Sequence, residues 1–277
     1  MTATASSIAA STIPFEKRRF KSAAEHYRTG RPAYAPALFE RVAKRIGLGR
    51  GHAVLDLGCG PGQLALGFAR FAGAVTAVDP EPEMLRIAAA GAAEAGVAVT
   101  FVEGSSYDIG PRLGSFRLAV IGRAFHWMDR TDTLARLDGM VEPEGALALF
   151  GDRHPEIPDN DWRKAYDAVL DKYSAEDSAR RQRKAADWPK HEQVLLDSPF
   201  SALERIGVIE RRRTPIDWIV DRILSLSSVS RDKIGARADE MVAELRTALA
   251  PYAAGDAITE VVESEALIAM RPPRAVV

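Results

Sequence analysis

The chain has 277 residues and a formal net charge of -1, and 47% of its residues are hydrophobic and 27% charged. This composition excludes a disordered chain, and the small net charge gives no general attraction to nucleic acid or to an anionic membrane. No apolar run approaches the roughly 18 residues that a membrane-spanning helix needs. The length fits one domain of ordinary size with an insertion.

Strands and helices are predicted to alternate over the first 150 residues. The predicted strands are 53–57, 74–78, 97–102, 117–122 and 145–150. The predicted helices are 37–46, 63–71, 83–95 and 131–140. This alternation predicts a doubly wound α/β fold, with a parallel sheet covered by helices on both faces. Ligands of such sheets bind at the carboxyl ends of the strands, near the point where the strand order reverses.

The pattern changes after about residue 152. Residues 152–200 are polar and predicted to be helical. Residues 201–277 are predicted to hold strands at 203–211 and 259–270 and helices near 217–227 and 231–249.

The N-terminal segment and the cysteine content give two further predictions. Residues 1–14 are rich in Ala, Ser and Thr and are predicted to be disordered. They lack the basic stretch and apolar run of a secretory signal. The single cysteine, Cys59, excludes a disulfide within the chain, so we expect a reducing compartment and a cytoplasmic protein.

The most informative stretch is residues 53–62, Ala-Val-Leu-Asp-Leu-Gly-Cys-Gly-Pro-Gly. An apolar strand carrying Asp56 runs into three glycines, Gly58, Gly60 and Gly62. Glycine lets the backbone come close to a ligand and adopt dihedrals that other residues avoid, so we expect a nucleoside or amino-acid ligand. The spacing differs from the Gly-x-Gly-x-x-Gly of dinucleotide sites, which disfavours a dinucleotide-dependent oxidoreductase.

Asp79 ends the second predicted strand and is followed by Pro80 and, shortly after, by Met84. A carboxylate at this position can accept hydrogen bonds from both hydroxyls of a ribose. It can also serve as a helix N-cap or first-turn acid, and the sequence leaves both roles open.

These features together resemble motif I of the class I S-adenosylmethionine-dependent methyltransferases. Ala-Phe-His-Trp at 124–127 and Tyr-x3-Arg-Pro-x-Tyr at 27–34 are similar to the trans-aconitate methyltransferase-related group of small-molecule enzymes. The resemblance covers roughly residues 20–150 and is looser beyond. It implies a Rossmann-like sheet of seven strands with an antiparallel last strand. It also implies that residues 152–200 are a helical cap inserted after the fifth strand and that residues 201–277 complete the sheet. It also implies S-adenosylmethionine as methyl donor and S-adenosylhomocysteine as product.

The resemblance further implies that residues 15–151 form the cofactor-binding core and that its N-terminal segment folds over the cofactor as a lid. The expected cofactor-binding residues are Tyr27, Arg31, Asp56, Gly58, Gly60, Gly62, Gln63, Asp79, Pro80, Met84, Ser105, Ser106, Arg123 and Ala124. Arginine suits the methionine carboxylate. Many relatives carry an acid where Ser105 and Ser106 stand, so we expect adenine to be held by backbone, a serine hydroxyl or Tyr107; a simple polar turn explains the serines equally well.

The acceptor is expected to be a small metabolite or natural-product intermediate. The expected acceptor-binding residues are Tyr34, Phe125, His126, Trp127, Trp188 and His191. His126 is also the candidate general base, because histidine has an unperturbed pKa of about 6.5. A structural histidine is the alternative, and the helical spacing of Trp162, Tyr166 and Tyr173 favours a core stripe over an acceptor wall.

Other functions remain open at this stage. The basic run Arg180–Lys184 is typical of a solvated helix face, but it could receive an acidic substrate or, less readily, nucleic acid. An RNA or protein methyltransferase and a non-catalytic cofactor-binding subunit are the alternatives. The sequence has no Asn-Pro-Pro-Tyr motif after the fourth predicted strand and no strong positive charge, and either feature would have favoured a nucleic-acid substrate. We expect no metal, no nucleic-acid or membrane partner, and a monomer or homodimer.

Overall fold

The computed structural model describes residues 12–13 and 24–273, in which strands and helices alternate. The strands are β1 Ala53–Leu57, β2 Ala74–Asp79, β3 Thr100–Glu103, β4 Phe116–Gly122, β5 Val141–Arg153, β6 Ala202–Pro215, β7 Ala253–Ala254 and β8 Ala257–Met270. The helices are α1 Ala24–Gly30, α2 Pro36–Arg45, α3 Gln63–Ala69, α4 Pro82–Ala95, α5 Arg130–Asp138, α6 Trp162–Tyr173, α7 Ser178–Lys184, α8 His191–Leu196, α9 Ile216–Leu224, α10 Arg231–Ile234 and α11 Arg237–Leu249. The predicted disordered segment 1–14 lies outside the described residues except for Thr12 and Ile13.

All the strands belong to one sheet with the order β3-β2-β1-β4-β5-β8-β6, and the short β7 pairs with β8. Strands β1 to β5 are parallel, and β8 runs antiparallel to both of its main neighbours, β5 and β6. The order reverses between β1 and β4, which is the place where open α/β sheets bind ligands. The predicted doubly wound sheet with an antiparallel last strand is confirmed, and the two-residue β7 is an addition.

The central strands are apolar runs because both faces of the sheet are covered. Neighbouring residues of a strand point to opposite faces. In β4, Leu118 packs into the apolar cluster that holds Leu38 of α2, whereas Ala119 packs into the cluster that holds Leu134 of α5. This burial on two faces explains why β1 and β4 show no polar alternation.

Three helices, α6 to α8, follow β5, as predicted for a helical cap in that position. Trp162, Tyr166 and Tyr173 of α6 are buried in a third apolar cluster with side chains of α9 and α11, so they form the core stripe that their spacing favours. The domain boundaries at residues 152 and 200 stay a prediction.

The predicted helix over 231–249 is wrong in one respect. Gly235 has a φ of +56° and ends α10, so that α11 begins only at Arg237. Glycine adopts this left-handed conformation without strain, which makes the break possible.

Helix α1 is docked on α9, and this contact fixes the segment that leads to Arg31. His26 Nδ1 lies 2.8 Å from Asp221 Oδ1, and the Thr29 hydroxyl donates to the same carboxylate. Arg222 Nε donates to the carbonyl of Gly30 at 3.1 Å.

No helix among the described residues is long and apolar enough to span a membrane.

Replacement of Gly30 by alanine is expected to weaken this docking. A Cβ at Gly30 would lie 2.4 Å from Arg222 N and 2.4 Å from the Asp221 carbonyl carbon, and backbone atoms cannot turn aside as a side chain can. Overpacking of this kind costs about 1–3 kcal/mol. Denaturant unfolding measures the loss, with Gly51→Ala as control because a Cβ there meets nothing within 4 Å. Equal stability of the two variants would contradict the tight contact.

Candidate active site

The glycine turn after β1 adopts the conformation that its sequence demands. Gly58, Gly60 and Gly62 have φ values of +69°, +51° and +83°, a region in which only glycine is unstrained. The amides of Gly58 and Cys59 donate to Val78 O at 2.8 and 3.0 Å, which holds the turn against β2. The predicted ligand-binding turn therefore lies at the carboxyl end of the sheet, beside the point where the strand order reverses.

Asp79 joins the end of β2 to this turn. Its Oδ2 accepts from Gly60 N at 2.8 Å and its Oδ1 accepts from Glu81 N at 2.9 Å. Burial raises the pKa of Asp79 to about 6, although the two amide hydrogen bonds oppose the shift. Each carboxylate oxygen has a second lone pair, so the group can also accept hydroxyl donors. It is not the N-cap of α4, a position that Glu81 occupies.

Asp56 has one bound and one unbound carboxylate oxygen. Oδ2 accepts from Ala65 N at 2.8 Å and so holds the start of α3 in place. Oδ1 is buried and has no hydrogen-bond partner among the described residues. Burial raises the pKa of Asp56 to about 7, against the effect of the Ala65 hydrogen bond. Asp56 lines a cavity of about 20 Å³ with Tyr27, Tyr34 and Arg123, which is too small for a nucleoside-sized ligand, so the lining has to rearrange for such a ligand to bind.

Arg123 connects the end of β4 with α3 and with the segment after α1. Its guanidinium forms an ion pair with Asp152 and donates to Gln63 Oε1 at 3.1 Å and to Pro32 O at 2.7 Å. It also lies 4.3 Å from the centre of the Tyr34 ring. Burial opposes the charge of Arg123, but Asp152, Tyr34 and Tyr27 together outweigh burial and hold the pKa of Arg123 above its usual value. Arg123 and Gln63 thus bind each other at the edge of the small cavity.

The turn after β3 is a hydrogen-bonded polar turn. Ser105 N and Ser105 Oγ donate to Asp108 Oδ2 at 2.8 and 2.7 Å, and Tyr107 N donates to Ser105 Oγ at 3.2 Å. These bonds from Ser105 lower the pKa of Asp108. The sequence analysis missed Asp108, although an acid three residues after a serine is a signal for such a turn. Ser106 is buried beside it.

Two further residues lie next to these strand ends. Pro80 and Met84 flank the start of α4, and Met84 is buried. Glu81, which the sequence analysis also missed, is buried with both carboxylate oxygens free of hydrogen-bond partners among the described residues. A second carboxylate therefore stands beside Asp79.

Phe125, His126 and Trp127 form one short 3-10 turn after β4. His126 Nε2 lies 2.6 Å from Arg183 Nη1 of α7, and the same guanidinium lies 4.4 Å from the centre of the Trp127 ring. Burial, and after it the charge of Arg183, holds the pKa of His126 well below its usual value. Ala124, at the start of this turn, lies against Gly58, where an added Cβ would be 2.9 Å from Ala124 Cβ.

A cavity of about 410 Å³ opens beside this turn, and we refer to it as the basic cavity. Five cationic side chains line it, and one carboxylate, Asp152, does so as well. The cationic residues are Arg31, Arg123, Arg180, Arg183 and Lys184. The basic cavity shares Tyr27 and Arg123 with the small cavity at the glycine turn, so the two adjoin each other.

The remaining predicted acceptor residues lie apart from the basic cavity. Phe125 and His191 face each other with ring centres 5.2 Å apart and line a separate cavity of about 180 Å³ that His126 also borders. Trp188 stacks on Arg130 at 4.6 Å. Tyr34 is buried in the core, and its hydroxyl donates to Phe150 O at 3.4 Å. The predicted set is thus not brought together in one cavity.

Comparison with known proteins places this site in a family. Residues 54–145 match the family model of the methyltransferase domain. An uncharacterized methyltransferase of Mycobacterium tuberculosis is 27% identical over 212 residues, which are 75% of this chain and 76% of the relative. Trans-aconitate 2-methyltransferase of Mycobacterium tuberculosis is 33% identical over 164 residues, which are 58% of this chain and 57% of the relative.

Solved structures agree on the fold. A putative type II methyltransferase from Anaeromyxobacter dehalogenans matches with a TM-score of 0.54 at 23% identity, over 87% of this chain and 97% of that one. A methyltransferase from Thiobacillus denitrificans, solved with S-adenosylhomocysteine, matches with a TM-score of 0.53 at 17% identity, over 94% and 100%.

Residues 54–145 belong to the methyltransferase-domain family, and the fold and the glycine turn are those of a class I S-adenosylmethionine-dependent methyltransferase. Within it, the chain is related to the trans-aconitate methyltransferases. The cofactor is S-adenosylmethionine, so the predictions of family and cofactor are confirmed. The assignment of individual residues to the cofactor and the acceptor stays a prediction.

Proposed function

We propose that the protein transfers the methyl group of S-adenosylmethionine to a small molecule bound in the basic cavity. The observation that carries the proposal is the position of this cavity, which meets the glycine turn at Tyr27 and Arg123. Its volume of about 410 Å³ lies within the range of small-molecule sites, about 300–1,000 Å³. This supports a metabolite over an RNA or protein acceptor, which is the alternative.

The charge of the cavity supports a negatively charged acceptor. Asp152 pairs with Arg123, and Asp171 pairs with Arg180 and Lys184, but the five cations still outnumber these two carboxylates. This excess favours an anion that is held by forked guanidinium contacts. One relative is a trans-aconitate 2-methyltransferase, and the molecule in its name is a tricarboxylic acid. We extend this substrate class, an organic acid, to the present chain as a proposal.

The residues at the glycine turn fit the cofactor. The unbound Asp56 Oδ1 suits an ammonium donor, and the three glycines leave the backbone open to close approach. Asp79, through its remaining lone pairs, suits the ribose hydroxyls. Arg31, which lines the basic cavity and has a buried Nε without a partner among the described residues, suits the methionine carboxylate.

The bound cofactor supplies an electrophilic methyl group, and the chain has to align the acceptor and exclude water. Tyr27 and Arg123 lie at the boundary that the methyl group has to cross. An acceptor that is methylated on a hydroxyl or an amine must also lose a proton, and His126 Nε2 in the cavity wall is the group we propose to take it. A carboxylate acceptor needs no base.

Calorimetric titration with S-adenosylhomocysteine and with NAD tests the first step. We expect binding of S-adenosylhomocysteine and none of NAD. Incubation with S-adenosylmethionine and either trans-aconitate, its trimethyl ester or total RNA then tests the acceptor class, with mass spectrometry as the readout. We expect methylation of small acids alone. Methylation of RNA alone would overturn the proposal, and cofactor binding without any methylated product from a small-molecule extract would favour a non-catalytic subunit.

A further inference from the structure

Helix α7 carries three cationic side chains that line the basic cavity, and these side chains have different partners. Arg180 and Lys184 each form an ion pair with Asp171 at 2.7 Å. Arg183 instead reaches across to the turn after β4, where it meets His126 Nε2 at 2.6 Å. One of the three cations is therefore placed directly on the candidate base.

The chemistry of the pair fixes the direction of this hydrogen bond. A guanidinium can only donate, so His126 Nε2 is the acceptor and the imidazole is neutral, with its proton on Nδ1. The lone pair that a general base needs is thereby occupied. In the state that the structure describes, His126 cannot take a proton at Nε2.

The surroundings of His126 reinforce this state. Besides Arg183 on α7, the charged and titratable groups that act on it are His191 on α8, Arg31 after α1 and Arg130 on α5. Burial and the charges of Arg183, Arg31 and Arg130 disfavour the imidazolium, and together with His191 they lower the pKa of His126. An anion that entered the cavity would oppose every one of the cationic effects.

We propose that Arg183 is a positioning residue that works as a latch on His126: an anionic group of the acceptor draws the guanidinium away and frees Nε2. A guanidinium binds a carboxylate through two parallel, charge-assisted hydrogen bonds, which are stronger than one bond to a neutral imidazole. The anion therefore favours the open latch by its differential affinity for the two arrangements. This inference rests on the proposed function and adds a condition to it, since a neutral molecule leaves the latch closed.

The rearrangement requires the Arg183 guanidinium to exchange His126 for the anion as its partner. Arg180 and Lys184 keep α7 tied to Asp171 while Arg183 moves, and Trp127 offers its ring face to the guanidinium in the closed arrangement. The same event holds the acceptor and exposes the base, which links recognition of an acid to proton removal.

The test follows the His126 ring by NMR in the full chain, with H126Q to assign its signal. In R183Q without ligand, we expect the pKa of His126 to rise, because a neighbouring cation is removed. R183K should keep it low, and K184Q, which changes the neighbouring cation of the same helix, should resemble the wild type. Trans-aconitate is the anionic probe, and it should raise the pKa more in the wild type than in R183Q.

The outcomes separate this inference from the proposed function. An unchanged pKa of His126 in R183Q would overturn the latch. The latch would also be overturned if trans-aconitate did not raise the pKa of His126 in the wild type, or if it raised this pKa as much in R183Q. The affinity for S-adenosylhomocysteine, measured on the same variants, should stay near the wild-type value. If the wild type itself did not bind S-adenosylhomocysteine, the result would count against the proposed function and not against the latch.

Discussion

Replacement of Glu260 by leucine is expected to lower the free energy of unfolding by about 3–5 kcal/mol, the usual cost of removing one partner from a buried ion pair. Glu260 lies in β8 with 1% of its surface exposed. It accepts from Arg222 at 2.8 and 3.0 Å and from Thr214 at 2.6 Å, and it lies 2.8 Å from His154 Nε2. Without this carboxylate, Arg222 keeps a buried charge with no counterion in contact among the residues that the structure describes.

Denaturant unfolding measures this loss, and Glu204→Gln is the control. Glu204 also lies on a strand of the sheet, but its pair with Arg45 is largely exposed, so the control should cost less than about 1 kcal/mol. The double variant R222M/E260L should recover much of the stability, because no unpaired charge remains. A loss below about 1 kcal/mol in Glu260→Leu would show that the cluster is not tightly coupled.

The same residue gives a pH dependence with a defined sign. Burial opposes the charge of Glu260, but His154, Arg222 and Thr214 outweigh it and lower the pKa of Glu260. Its contribution is therefore complete above the unfolded-state pKa of about 4.3 and is lost as the pH falls below that value. Between pH 5 and 3, the wild type should lose more stability than Glu260→Leu does. The comparison with the variant is needed because the raised pKa values of Asp56 and Asp79 act in the opposite direction.

Replacement of Asp79 by asparagine is expected to raise the dissociation constant of S-adenosylhomocysteine about 10- to 100-fold. The reason is the loss of hydrogen bonds to a charged acceptor, each of which is worth about 1.5–3 kcal/mol. The variant also weakens the bond to Gly60 N that shapes the glycine turn. Calorimetry measures the change, with Glu83→Gln as control because Glu83 pairs with Arg86 at the surface.

Two further results refine this expectation. Because the pKa of Asp79 is raised to about 6, the affinity of the wild type should fall as the pH drops through that value, and the affinity of Asp79→Asn should fall less. Glu81→Gln tests the neighbouring carboxylate, whose oxygens have no partner among the described residues. Wild-type affinity in Asp79→Asn together with a loss in Glu81→Gln would move the ribose contact to Glu81.

The sheet was predictable because its physical signals are local. Strand β1 is an apolar run that ends at glycines with positive φ, and Asp79 ends the next such run. Both signals depend on a few consecutive residues, and the parallel order then brings these strand ends together. The cofactor-binding end of the fold follows from them.

The acceptor side was harder to predict, because it depends on contacts between distant segments. Nothing near His126 in the sequence points to Arg183, and the basic run on α7 is typical of a solvated helix face, with an acidic substrate only as the alternative. Trp188 and His191 were predicted to bind the acceptor with His126; both contact Arg130, and His191 also lines the cavity of about 180 Å³ that His126 borders. The side chains of the cap reach their partners only once α7 and α8 have packed against the rest of the fold. Local sequence patterns do not encode that packing.

Strand β6 has a further consequence for how the chain is made. Within the described sheet its pairing partner is β8, which begins at Ala257, well after β6 ends at Pro215. During synthesis from the N-terminus, β6 therefore emerges before the strand that it needs and presents unpaired backbone groups in the meantime. Its charged residues, among them Arg211, Arg212 and Arg213, discourage pairing with strands of other chains. The charges that line this sheet edge thus protect the nascent protein from aggregation as well as the finished one.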